Sequence, residues 1–191
     1  MWMHKPRRRT RARSRRTQKE TVQESVWRSL AVDDRSYEHF IRYNWRKRDP
    51  FLIGRHTRVI IDKVEEALSN YERGISTYLT ITVPYRHGKT DVIGRYLPPF
   101  ALGHFPDLEI MYTTYGDTLS EQISRDALSI MRGQRYQRCF PDVRLNKRSA
   151  SAKEWSIVDE MDEPYVGKCM ALGVQGGATG KGAGMLVISF M

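Results

Sequence analysis

A chain of 191 residues, 40% hydrophobic and 28% charged, is long enough to bury one real core and too short for several independent domains. Its net charge of +10 is unevenly placed: residues 1–16 hold eight Lys/Arg and no acid, leaving 24 basic against 22 acidic residues in the remainder. No apolar run approaches the ~20 residues that cross a bilayer, and no signal-peptide core follows Met1, so a membrane role and secretion are not expected.

The first segment, 1–19, reads as a basic, disordered arm. Its charge gives it a salt-dependent attraction to phosphates, and it lacks the apolar spacing of an amphipathic transit peptide. Cys139 and Cys169 stand alone, far from any metal-ligand spacing, and read as reduced, buried thiols of a cytosolic protein. A helical segment is expected over 20–54. Val22, Val26 and Leu30 recur every four residues, then Tyr37, Phe40, Ile41 and Trp45 follow at three-to-four spacing, up to Asp49-Pro50. These aromatics read as packing residues. A third helix, from about His56 to Tyr71, carries Ile60, Val64, Ala67, Leu68 and Tyr71 on one face and ends at Gly74.

The stretch 77–83 is rich in β-branched residues and reads as the central strand. It leads through Pro84-Tyr85-Arg86-His87 into Gly88-Lys89-Thr90, and a helix over 90–102 follows, stopped by Gly103 and Pro106. Strand, glycine-bearing loop, Lys-Thr and helix is the arrangement of a phosphate loop, or Walker A motif. Backbone N–H groups meet the anion, the lysine reaches the outer phosphates, and the threonine hydroxyl can hold Mg²⁺. The full pattern also asks for a glycine five positions before Gly88, where this chain has Val83. A β-turn-α corner with a surface lysine is the plainer alternative.

Residues 108–114 read as a second strand. Thr118-Leu-Ser-Glu121 reads as a capping box, opening a helix whose stripe is Leu119, Ile123, Ala127, Ile130 and Met131 and which Gly133 ends. Residues 134–165 suggest a short helix and an irregular or β-hairpin excursion, with Asp159, Glu160, Asp162 and Glu163 in a solvated turn. Two more strands, 170–174 and 185–188, flank a stretch with five glycines among residues 176–184. Alternating β and α elements imply an α/β fold with a mainly parallel sheet flanked by helices.

The order of these segments resembles the ATPase domain of tailed-phage terminase large subunits. Four stretches carry the likeness: 83–90, 99–106, 112–120 and 173–184, the last followed by a strand. It spans about Phe51 to Ile188 and implies a P-loop NTPase-type domain over 55–191, incomplete at its C-terminus. The resemblance implies a motor that uses ATP and Mg²⁺ to drive double-stranded DNA into a prohead. It implies as partners a portal protein, a small terminase subunit and further copies of itself, in the cytoplasm of a bacteriophage host.

Deviant phosphate loops of that family lack the early glycine and carry an arginine where this chain has Arg86. By the resemblance Lys89 contacts the β- and γ-phosphates, Thr90 holds Mg²⁺, Arg86 contacts or senses the γ-phosphate, and the amides of His87, Gly88 and Lys89 form the cradle. Arg86 as a surface cation and His87 as loop filler are the plain readings beside it. Lys181 is either a cation offered to a neighbouring subunit's ATP or a loop charge. Tyr112 and Tyr115 read as core and strand-end residues before adenine stackers. The family places two carboxylates after the strand equivalent to 185–188; this chain has Ser189 and Phe190 there, which implies a truncated or split product with negligible hydrolysis. An accessory nucleic-acid-binding protein with a working basic arm and a vestigial phosphate loop is the competing reading, and a different phosphate-loop enzyme such as a helicase or kinase is a third.

Overall fold

The computed structural model describes residues 20–45, 49–174 and 182–190. The basic arm, Lys181 and most of the glycine-rich stretch lie outside the described residues.

Three helices open the fold: α1 (Val22–Val32), α2 (Tyr37–Asn44) and α3 (Arg55–Glu72). The capping box of the structure is here, at α1. The Thr21 hydroxyl accepts the Glu24 N–H at 3.2 Å, and the Glu24 carboxylate accepts the Thr21 N–H at 2.9 Å. Ser36, the N-cap of α2, makes no such bond. Its place is taken across the fold by Glu65 of α3, which accepts the Tyr37 N–H at 2.6 Å. Burial raises the Glu65 carboxyl above its usual range, against the pull of the Tyr37 and Glu38 amides. Gly74 closes α3 at φ +72°, where an L side chain is strained.

The next helical stretch begins not as an α-helix but as a π-helix, Thr90–Tyr96, which continues into α4 (Leu97–His104). Its physical reason is the pair Pro98-Pro99. Neither can donate an N–H to the preceding turn, and each ring crowds the carbonyl four residues back, so the turn widens. Gly94 lets the widened turn lie on the sheet, because a Cβ there would stand 2.8 Å from Ile123 Cγ2 and 2.9 Å from the Tyr112 hydroxyl.

The rest is β1 (Glu109–Thr114), α5 (Asp117–Met131), α6 (Gln134–Cys139), β2 (Arg144–Ala150), β3 (Glu154–Val158), β4 (Pro164–Gly173) and β5 (Met185–Ser189). The short helix and hairpin expected over 134–165 are therefore present. The box expected at 118–121 is not, since α5 is capped two residues earlier, by Gly116, without a side-chain bond.

The five strands form one sheet in the order β2-β3-β4-β1-β5. β1 is parallel to β4 and β5, whereas β3 is antiparallel to both β2 and β4. The expected mainly parallel sheet is thus corrected to a mixed one, because the β2–β3 and β3–β4 connections are short returns that cannot hold a crossover. The expected central strand is corrected too. Residues 76–83 belong to no strand and make no backbone hydrogen bond with any other described residue. β-Branched content favours extended backbone; a strand also needs a neighbour, and the sheet stops at β5.

One core joins the helices to one face of the sheet. Tyr37, Phe40, Phe100, Tyr136 and Phe140 form its aromatic centre, with Phe100 4.9 Å from Tyr37 and 5.2 Å from Phe40. The segment 20–54 shares this core with the rest of the chain. Trp155 is fully buried and donates its indole N–H to Ser124 Oγ at 3.0 Å. Both cysteines are free and buried, and burial pushes each thiol up to about 12.

Candidate functional site

The loop that leads into the π-helix has an unusual backbone. Arg86 sits at φ +63° and Gly88 at φ +78°, followed at once by right-handed Lys89 at φ −50°, ψ −47°. A left-handed residue followed by a right-handed one turns successive N–H groups to the same side, the concavity that holds anions. Among the described residues, the N–H groups of His87, Gly88 and Lys89 donate to no protein acceptor. A Cβ built on Gly88 meets nothing within 4 Å, so the loop is open on that side. A non-glycine residue at positive φ marks stored backbone strain, which the His87 ring helps to fix through an Nδ1 contact with the Tyr85 carbonyl at 2.8 Å.

The side chains are cationic and mostly exposed. Lys89 Nζ donates to the Phe190 carbonyl at 2.9 Å, which brings the loop to the C-terminal end of β5. Ligands of open α/β sheets collect at the C-terminal ends of the parallel strands. Arg86 is exposed, its guanidinium 5.5 Å from the centre of the Tyr85 ring, with no ion pair to any described acid. Of the expected cradle, 84–88 lies in the loop, Lys89 is the N-cap of the π-helix, and Thr90 is its first residue.

Among the described residues no carboxylate completes this site for a cation. Asp91, next to Thr90, bonds Arg95 at 2.5 Å, and Arg95 also bonds Asp126 at 2.7 Å. Burial pulls the Arg95 guanidinium down, and its bonds to Asp91 and Asp126 outweigh that and leave it raised. At the end of β5 stand Ser189 and Phe190. Among the described residues no group of three or more His, Cys, Asp or Glu could hold a metal. Asp159 to Glu163 form a turn between β3 and β4, in which Asp159 Oδ1 accepts the N–H groups of Met161 and Glu163 at 2.8 and 2.9 Å.

Tyr112 is a core residue beneath Gly94, and burial raises its hydroxyl. Tyr115 is exposed just past the end of β1. His56, in the first turn of α3, was not singled out by the sequence. It lies edge-on to His87 with ring centres 5.4 Å apart, and its Nε2 is 3.3 Å from the His87 carbonyl. No sequence signal pointed to it; its ring packs against Gly54, where a Cβ would come 3.0 Å from it.

No protein-family model, curated protein or solved structure matches the chain. Among the described residues no helix is long and apolar enough to cross a membrane.

Proposed function

We propose that the chain is the nucleotide-binding part of a viral DNA-packaging motor of the terminase large-subunit type, with the loop 84–90 as its triphosphate cradle. The observation that carries this reading is the left-handed Gly88 followed by right-handed Lys89, two residues after left-handed Arg86, in a loop whose three N–H groups at 87–89 are left without a protein acceptor among the described residues. The ordered sequence motifs support the family reading, and the loop geometry supports the phosphate chemistry.

The residues present fit the phosphates of ATP. The amides of His87, Gly88 and Lys89 would donate to phosphate oxygens, and Lys89 would exchange its bond to the Phe190 carbonyl for one to the anion. Arg86, without an acidic partner, would add the second positive charge. Such positioning and neutralisation is what a phosphoryl group asks of a protein. Mg²⁺ fits less well. Thr90 would offer one hydroxyl, while the nearest loop carboxylate, Asp91, is engaged by Arg95. The 191 residues therefore bind nucleotide and turn it over negligibly.

Titration of ATP into the purified chain tests the reading. Saturable binding is expected, weakened at least about tenfold by Lys89→Ala, the scale of a lost charge-assisted bond. Equal affinity in both proteins would remove the cradle from the account, and Lys89-dependent ATP turnover would overturn the proposed lack of hydrolysis.

A further inference from the structure

Residues 84–87 form an exposed run whose backbone, among the described residues, bonds only two side chains. One belongs to the loop itself: the Tyr85 carbonyl takes the Nδ1 proton of His87 at 2.8 Å. The other comes from outside. The His87 carbonyl lies 3.3 Å from Nε2 of His56. A carbonyl only accepts, so His56 carries its proton on Nε2 and donates it. Thr57 Oγ1, 3.1 Å from the same nitrogen, shares that proton as a second acceptor.

His56 is anchored where the loop is not. It stands in the first turn of α3, a helix of 18 residues that buries Thr57, Ile60, Ile61, Val64 and Leu68. Gly54 leaves the room that its ring occupies, and the same ring meets His87 edge-on.

The direction of one N–H follows. No peptide bond of the described residues is cis, and in a trans peptide the C=O and N–H point opposite ways. With the His87 carbonyl turned to His56, the Gly88 N–H faces away from that ring. The left-handed Gly88 and right-handed Lys89 then turn the Lys89 N–H to the same side.

We infer that His56 is the positioning residue of the phosphate cradle: it fixes the 87–88 peptide so that the Gly88 amide meets the anion on the side away from the His56 ring. This role rests on the nucleotide reading of 84–90 and adds to it a residue from another element. A donor on a packed helix sets the amide before the ligand arrives, which lowers the ordering cost of binding.

Two variants of the full chain test it. His56→Leu keeps an apolar side chain in the place and loses the donor; His56→Gln supplies an amide donor instead. The side chain is exposed, so both should melt with the parent. In the free proteins the backbone heteronuclear NOE of Gly88 should be high in the parent, fall in His56→Leu and return in His56→Gln. For a non-hydrolysable ATP analogue, His56→Leu should bind about threefold to tenfold more weakly, the scale of one hydrogen bond, and His56→Gln within about twofold of the parent. A Gly88 amide indifferent to His56→Leu overturns the inference whatever the affinity. Equal losses in the two variants overturn it too, by making the bulk of the ring rather than its proton the cause. A Gly88 that responds as expected in a parent that binds no analogue overturns the nucleotide reading, and leaves His56 as the residue that fixes the loop.

Discussion

Tyr37→Phe removes one hydroxyl from a fully buried ring of α2. That hydroxyl donates to the Val92 carbonyl inside the π-helix, the turn widened by Pro98-Pro99. The ring itself keeps its place, since its 4.9 Å contact with Phe100 needs no hydroxyl. The lost term is the bond to a carbonyl left in a buried site, about 1–3 kcal/mol. At roughly 2–4 °C per kcal/mol for a domain of this size, the melting temperature should fall by about 2–12 °C. Urea unfolding should show a lower midpoint and an unchanged slope, because the surface exposed on unfolding is the same. A variant that melts within a degree of the parent would show that α2 does not hold the π-helix.

Three further outcomes follow from the packing and the charges. Gly94→Ala places a Cβ within 3 Å of both Ile123 and Tyr112 and should cost about 1–3 kcal/mol in urea unfolding. Lys89→Ala loses only an exposed bond to the Phe190 carbonyl, so its unfolding midpoint should match the parent even where nucleotide affinity falls. His104 is held down to about 4, first by burial and then by Arg35, against the Ala31 carbonyl and Glu72, which raise it. The unfolded chain therefore takes up a proton near pH 6.5 that the folded chain resists. His104's contribution is full above that pH and is lost as pH falls from 6.5 towards 4, by roughly 2–3 kcal/mol. Unfolding curves at pH 7.5 and 4.5 should diverge less for His104→Gln than for the parent, a difference that cancels the acid titration of Glu20 and Glu24.

Much of the helical layer was legible because its signals are local. The stripe Ile60, Val64, Leu68 and the glycine at 74 place α3 almost to the residue. The hydrophobic runs at 108–114 and 185–188 are strands because each finds a neighbour in the sheet. The run 77–83 has the same composition and fails for want of that neighbour, which no window of sequence reveals. Glu65 capping α2 from another helix, and His56 standing against His87, are likewise products of tertiary approach. Val22 and Val26 follow the helical period and are exposed, because α1 buries Ala31 instead. The Gly88-Lys89-Thr90 turn into a helix was legible as a motif, while the left-handed Arg86 before it was not, since arginine carries no preference for that conformation.

The central claim is that the backbone at 87–89 receives phosphate. An amide-resolved NMR titration of the 191-residue chain with a non-hydrolysable ATP analogue measures it directly. The N–H signals of His87, Gly88 and Lys89 should move together and saturate, and Gly88→Ala, which penalises the left-handed turn by about 1–2 kcal/mol, should suppress the movement. Saturable shifts elsewhere with those three amides unmoved would contradict the account.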